Sequence, residues 1–207
     1  MIDELFFKAA FFTLWTVFLC AFVWFAHSTK WTAGRRTTQR AKRLRAIALA
    51  FAFLYLVDSF LYALLPNSAV FLYVPLTNEV RLSMICVTIS GLAFLLWALR
   101  TLGSNWAPSL SGMRQDTSLI TNGPYKIVRH PIYLGVVVIL LALGILSANV
   151  LILMPTAMLV VLLYMQLPDE ESMLIERFGD AYLEYMKRTP KFIPRLFRNA
   201  GIPADET

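Results

Sequence analysis

Apolar residues along this chain gather in long, nearly uninterrupted windows rather than in the short alternating runs of a water-soluble fold. Four windows, about residues 5 to 26, 46 to 65, 82 to 101 and 131 to 167, approach or exceed the roughly 20 residues needed to cross hydrocarbon. The last is too long for one crossing, and the polar break Ser147-Ala148-Asn149 divides it into two helices of about 17 residues each. The pattern predicts an all-α, polytopic membrane protein of five transmembrane helices, the fourth and fifth forming an antiparallel hairpin. Gly144 and Pro155 fall inside that hairpin, where neighbouring helices can re-satisfy the backbone groups they disturb. Ala200 to Thr207 is a polar end expected to fray.

Composition agrees, since 58% of the 207 residues are hydrophobic and only 15% are charged, more apolar than a soluble domain of this size uses. Charge then orients the helices. Lys30, Arg35, Arg36, Arg40, Lys42, Arg43 and Arg45 form one segment without an acid, seven of the 19 cations, and such a segment belongs in the cytoplasm. Alternation places 102 to 130 and the tail after 168 on the same side, with the N-terminus, Asn67 to Glu79 and the 147 to 149 turn outside. Lys8 is the single cation on the N-terminal side of the first crossing, which agrees with an outside N-terminus, and Arg100 marks the cytoplasmic end of the third. Two acids precede the first helix and no small-residue cleavage site follows it, so it is expected to be a retained span rather than a signal peptide. For a net charge of +6 concentrated beside the membrane, an anionic leaflet is the expected partner and nucleic acid is not. Cys20 and Cys86 fall within spans and are expected to be helix fillers, giving neither a disulfide nor a metal site. Asp58, a carboxyl inside the second span, is expected to hold the bundle together through Ser59 or a hydroxyl of a neighbouring helix, a functional role being the alternative.

Chemistry is expected where polar groups meet the membrane. The segment Leu102 to Arg129 is uncharged for long stretches yet carries Gly103, Ser104, Asn105, Trp106, Pro108 and Gly112. It ends in the turn Thr121-Asn122-Gly123-Pro124-Tyr125, and Pro131 suits the first turn of the fourth helix. His130 then stands at the N-cap, where free N–H groups can receive a carboxylate. A second patch, Glu170-Glu171-Ser172-Met173-Leu174 with Phe178-Gly179, Tyr182, Tyr185 and Pro190, follows the fifth helix, so the hairpin brings both patches together. Simpler readings stay open for each residue: a helix-end histidine for His130, interfacial aromatics for Tyr125 and Tyr133, and a positive-inside anchor or a catalytic group for Arg129. Glu176, Asp180 and Glu184 have the spacing of a solvated helix face.

The two patches together, Gly123-x-Tyr125-x-x-x-Arg129-His130-Pro131-x-Tyr133-x-Gly135 and Glu170-Glu171-x-x-Leu174, Phe178-Gly179-x-x-Tyr182-x-x-Tyr185 and Pro190, resemble the isoprenylcysteine carboxyl methyltransferase family over roughly residues 102 to 194. The resemblance implies an integral membrane enzyme that uses S-adenosylmethionine to methylate a lipophilic acceptor, prenylcysteine-like, isoprenoid or phospholipid. It implies a substrate-entrance region over 1–101 and a catalytic region over 102–207. Carried over position by position, the cofactor contacts are Thr117, Ser118, Leu119, Ile120, Tyr125, His130, Pro131, Ile132, Tyr133 and Glu170, the last accepting from the ribose hydroxyls or amino group. Where the family has an arginine near the substrate carboxylate, this chain has Gln166, which cannot make the two-pronged, charge-assisted contact of a guanidinium. An acceptor that is uncharged or carries an amine is therefore expected. Tyr182, Tyr185 and Phe192 fit either a lid over the cofactor or an amphipathic interfacial helix. Two other readings are a nicotinamide-dependent membrane reductase of the sterol reductase type, which would be larger, and a non-catalytic scaffold or lipid-binding protein that kept the fold.

Overall fold

The computed structural model describes residues 3–28, 39–64, 73–105 and 118–193. Among the described residues there are six α-helices: α1 Glu4–Ser28, α2 Gln39–Leu64, α3 Asn78–Leu102, α4 Pro131–Ser147, α5 Val150–Phe178 and α6 Asp180–Arg188. Short 3₁₀ turns occupy Gly103–Asn105 and Gly123–Lys126, and the one bridge among the described residues pairs Tyr73 with Asn149. By length and composition α1, α2, α3 and α5 can each cross a membrane, while α4, at 17 residues, is a shorter apolar helix.

The helix ends follow local chemistry. Thr77 caps α3 by accepting from the Val80 N–H, and Pro131 opens α4 where its missing N–H costs nothing. The break expected at Ser147 to Asn149 is a tight turn: Ala148 takes the left-handed conformation, φ 51° and ψ 33°, and Asn149 caps α5 by accepting from the Leu151 N–H at 2.9 Å. At the other end α5 departs from expectation. It does not stop near residue 167 but runs through Pro168 to Phe178, so Glu170 and Glu171 lie within the helix rather than after it. Proline removes one N–H but leaves its own carbonyl free to accept, and Ser172 Oγ donates to Pro168 O at 2.8 Å.

α4 is the centre of the bundle and packs most extensively on α3, with α5 and α1 also against it, while α2 lies along α5. Close approach of α3 and α4 depends on Gly135, where an added Cβ would stand 3.1 Å from Leu95 Cβ and 3.3 Å from its Cα. Small residues allow such backbone proximity without a hydrophobic drive. The core between the helices comprises Phe7, Phe11, Tyr55, Leu95, Leu99, Ile139, Leu143 and Leu146, with edge-on rings of Phe11 and Tyr62 at 5.5 Å tying α1 to α2. The outward surface is apolar instead of charged: Leu5, Trp24, Phe53, Phe60, Met154 and Tyr164 are all exposed, the inverse of a water-facing bundle.

One end of the bundle is closed by Arg81, which is 1% exposed. Its guanidinium donates to Glu4 Oε2 at 2.5 Å and Oε1 at 2.8 Å, to Leu146 O at 2.9 Å, and stacks on Phe7 with 3.8 Å to the ring centroid. Tyr62 adds a hydrogen bond to Glu4 Oε1 at 3.1 Å. The start of α1, the end of α2, the start of α3 and the end of α4 therefore meet, and Val74 N–H donating to Ala148 O at 2.8 Å puts the hairpin turn beside them. Arg40 and Asp169 lie at the opposite end. Each helix from α1 to α5 thus has one end at this cluster. Asp58 is buried at 6% exposure, and Ser59 donates to Tyr55 O on its own helix at 2.7 Å rather than to the Asp58 carboxyl.

The arrangement yields a labelling prediction. In a variant with Cys20 and Cys86 replaced by Ala, a cysteine at the exposed Val150 is expected to react only with impermeant reagent from outside, and one at the exposed Lys126 only from the cytoplasm. Reaction of both from the same side would break the alternation.

Candidate functional site

The site begins with a strained turn. Gly123 has φ +55°, and a Cβ there would lie 3.0 Å from Thr101 Oγ1, so this residue must be glycine for the loop to fold back onto α3. Pro124 O accepts from both the Ile127 and Val128 N–H groups at 3.1 Å, closing the 3₁₀ turn and burying Tyr125 and Val128. His130 then stands at the N-cap of α4 with φ −120° and ψ 61°, as expected, but its side chain does not cap the helix.

Instead the His130 ring turns to α5. Glu171 Oε1 lies 3.2 Å from His130 Nε2 and accepts from Arg129 Nη2 at 2.8 Å and Nε at 3.2 Å. Its Oε2 pairs with Lys191 Nζ at 2.8 Å. Arg129 also donates through Nη1 to the carbonyls of Thr189 at 2.5 Å and Met186 at 3.2 Å. The backbone continues the seam: Arg129 N–H donates to Pro190 O at 2.8 Å and His130 N–H to Lys191 O at 3.3 Å. One buried carboxylate thus joins the start of α4, the end of α5 and the tail after α6, and the Phe192 ring covers His130 at 6.2 Å. Arg129, a catalytic candidate in the sequence, has its guanidinium engaged in this joint.

Next to it lies a set of polar atoms that have no partner. Tyr125 Oη, Glu170 Oε2 and Tyr182 Oη are buried and make no hydrogen bond, although buried polar groups nearly always find one. They come from the 3₁₀ turn, α5 and α6. Tyr133 is hydrogen-bonded to Glu170 and half-buried beside it. Burial pushes the Tyr125 phenol well above its usual range, with the Glu170 charge and Tyr185 adding to the shift. The same cause, reinforced by Glu171 and Glu170 against the opposing Arg129, raises Tyr182. Both stay neutral hydroxyls, able to donate and to accept. Tyr185 is anchored, its hydroxyl donating to Tyr125 O at 2.6 Å, so α6 is fixed against the 3₁₀ turn.

The other expected contacts are placed as follows. Ser118 accepts from Asn105 Nδ2 at 3.3 Å, Leu119, Ile120 and Ile132 are half-buried and Pro131 is buried, while Thr117 lies outside the described residues. Gln166, half-buried one turn before Glu170, donates its Nε2 to Leu162 O at 3.2 Å on its own helix. Sequence reasoning singled out Glu170 and not its neighbour; Glu171 and Lys191 are structural partners it did not assign, while Tyr182, expected in a lid or an interfacial helix, lies in α6 with its hydroxyl buried. The signal was the Glu-Glu doublet itself, because adjacent helical residues point about 100° apart and cannot share one role.

S-Adenosylmethionine carries a cationic sulfonium, an amino group and ribose hydroxyls. An unpartnered buried carboxylate oxygen flanked by unpartnered hydroxyls fits such donors, with the Glu170 charge offsetting the sulfonium.

The fold and site define a class, a multi-pass helical membrane protein with a buried polar cluster at one end of an apolar bundle. The sequence profile of the isoprenylcysteine carboxyl methyltransferase (ICMT) family matches residues 83–176. The nickel-cobalt-cadmium resistance protein of Alcaligenes xylosoxydans xylosoxydans is 32% identical over 96 residues, 46% of this chain and 45% of that one. Methanethiol S-methyltransferase of Pseudomonas deceptionensis is 37% identical over 86 residues, 42% of this chain and 32% of that one. The matched region thus spans less than half the length of these curated relatives. A eukaryotic intramembrane Ras methyltransferase, isoprenylcysteine carboxyl methyltransferase, shares the fold with a TM-score of 0.52 at 22% identity, covering 76% of this chain and 54% of that one.

The carboxylate joint makes a stability prediction. Glu171→Gln leaves Arg129 buried without its counter-charge, which costs on the order of 3–5 kcal/mol. The variant is expected to unfold at lower temperature in detergent and to be cut by protease near residues 189–193 faster than the wild type. Wild-type resistance on both measures would show that Glu171 does not hold the tail.

Proposed function

We propose that the protein is an S-adenosylmethionine-dependent methyltransferase acting on a lipophilic acceptor, with its polar pocket at the cytoplasmic face. The observation that carries this reading is the buried, unpartnered trio Tyr125 Oη, Glu170 Oε2 and Tyr182 Oη, the first two within the region that matches a methyltransferase family. The relatives support it: one is named for methanethiol methylation, and the solved fold is that of a Ras methyltransferase.

In this reading Glu170 accepts from the cofactor's ribose hydroxyls or amino group and balances its charge, Tyr133 orients Glu170, Tyr125 contacts the bound cofactor, and Ser118 to Ile120 form the outer wall. His130, Pro131 and Ile132 shape the floor at the start of α4. His130 does so in an orientation set by Glu171, so Arg129 and Glu171 act as positioning residues. The cofactor supplies an activated methyl group; the protein's part is to hold the acceptor in line and to exclude water. Tyr185 and Phe192 keep α6 and the tail packed over the polar pocket. The acceptor reaches the same place along the apolar outer faces of the helices, past Gln166.

Glu170→Gln and His130→Ala are each expected to weaken binding of S-adenosylhomocysteine roughly ten- to a hundredfold, the cost of one hydrogen bond to a charged group. Isothermal titration of detergent-solubilised protein reads this directly, and an unchanged dissociation constant removes the residue from the site. Tight binding of a nicotinamide dinucleotide in place of S-adenosylhomocysteine would instead support the reductase reading.

Gln166→Arg should leave that dissociation constant nearly unchanged while shifting methylation from an amine-headed lipid toward a farnesylcysteine carboxylate. Robust carboxyl methylation by the unaltered protein would show that a cation elsewhere compensates the acceptor's charge.

A further inference from the structure

α1 packs on α3 and α4, and α2 along α5, so α1 and α2 meet through long side chains. The contacts are aromatic: Phe11 stands edge-on to Tyr62 at 5.5 Å, and Trp15 lies tilted against Tyr55 at 6.3 Å. Tyr55 and Tyr62 are about 10 Å apart along α2, and Phe11 and Trp15 are one turn apart, about 6 Å, along α1. Asp58 falls between the two ring pairs, three residues after Tyr55 and four before Tyr62, the spacing that keeps residues on one side of a helix. All three are buried.

This side of α2 holds polar groups that nothing satisfies. Asp58 lies within the apolar window Lys42–Tyr62, and among the described residues no hydrogen bond or ion pair reaches its carboxyl. Ser59, its neighbour, donates to Tyr55 O instead. Tyr55 Oη is buried and has no partner. An ionisable group at this depth is expensive and marks a functional place by default, and an unpartnered phenol beside it is a second cost that packing alone does not explain. A carboxylate only accepts, so it calls for a donor, and a donor that carries positive charge compensates it best. The rings favour the same ligand, because aromatic faces attract cations most strongly where water is excluded. One ammonium already uses them: Lys8 Nζ lies 5.3 Å from the centroid of the Tyr62 ring. A metal ion fits less well, since no group of three His, Cys, Asp or Glu occurs among the described residues and hard cations take six or more oxygens.

We infer that the α1–α2 interface binds the ammonium group of a lipophilic amine between these two ring pairs. Asp58 is its counter-ion, Tyr55 Oη accepts one of its N–H groups, and the Trp15 and Tyr55 rings flank it. The inference stands apart from the methyltransferase reading. Arg40, which meets Asp169 next to Glu170, is eighteen residues before Asp58 in the same helix, about 27 Å along its axis, so the amine site and the polar cluster lie toward opposite ends of the bundle.

Binding is measured on the full chain in phosphatidylcholine nanodiscs with radiolabelled dodecylamine, empty nanodiscs giving the partitioning background. 1-Dodecanol and dodecanoate, of the same chain length, serve as neutral and anionic competitors. Wild type is expected to show a saturable component that unlabelled dodecylamine displaces and that the two competitors displace roughly tenfold less well or worse. Asp58→Asn removes the counter-ion and should weaken this component roughly ten- to a hundredfold, and Tyr55→Phe, which keeps the ring, roughly two- to tenfold. Dodecylamine should also raise the unfolding temperature of wild type and not that of Asp58→Asn. Absence of a saturable component overturns the inference, as does displacement by dodecanol equal to that by dodecylamine, or an affinity that Asp58→Asn leaves unchanged. Should Asp58→Asn fail to fold, an unchanged affinity in Tyr55→Phe overturns it alone. Glu170→Gln should leave dodecylamine binding unaltered; a loss there would move the amine to the polar cluster and overturn the site proposed at Asp58. A parallel titration with S-adenosylhomocysteine keeps the two claims separate, because its failure sinks the methyltransferase reading and leaves amine binding standing.

Discussion

Glu171 occupies the point on which the polar end of the molecule is built. Its two oxygens take Arg129, His130 and Lys191, and through Arg129 the carbonyls of Met186 and Thr189. A carboxylate left alone at this depth would be costly, and so would a buried guanidinium; paired and hydrogen-bonded, each satisfies the other. The consequence is geometric. The N-cap of α4 cannot shift without moving α5 and the tail, and the pocket walls contributed by Tyr125, Glu170 and Tyr182 inherit that rigidity.

The opposite end solves the same problem with different residues. Arg81 gathers Glu4, Tyr62, the Leu146 carbonyl and the Phe7 ring, joining four helix ends where the apolar core stops. Between the two clamps the helices meet through small residues and rings, with Gly135 admitting α3 to within contact of the α4 backbone. In lipid, packing and polar contacts must hold helices together because burial of apolar surface between helices gives little advantage over lipid. Charge at both ends and close packing between them is the arrangement that this constraint favours.

Much of this was legible in the sequence for a physical reason: long apolar windows have few alternatives to spanning helices, and the Ser147-Ala148-Asn149 break combines a left-handed position with a capping asparagine. His130 at the N-cap followed from Pro131 in the same way. The end of α5 was not legible, because Pro168 and the acids after it read as a stop, whereas the helix continues through Pro168 to Phe178. Nor was the role of Arg129 legible. Its partners lie 42 to 60 residues away, and no local pattern distinguishes an arginine that anchors a membrane surface from one that ties a tail to a helix.

That continuation of α5 explains how three consecutive acids serve three neighbours. Each step along an α-helix turns the side chain by about 100°. Asp169 accordingly faces α2 and Arg40, Glu170 faces Tyr133 and Tyr125 at the pocket, and Glu171 faces the start of α4 and the tail. Had the helix ended at Pro168, the run would have been a solvated acidic loop with no fixed directions. Kept helical, it places the structural carboxylate and the one among the unpartnered hydroxyls side by side in the chain and turns the third toward α2, so that the start of α4, the polar cluster and the contact with α2 are all indexed to one rigid element.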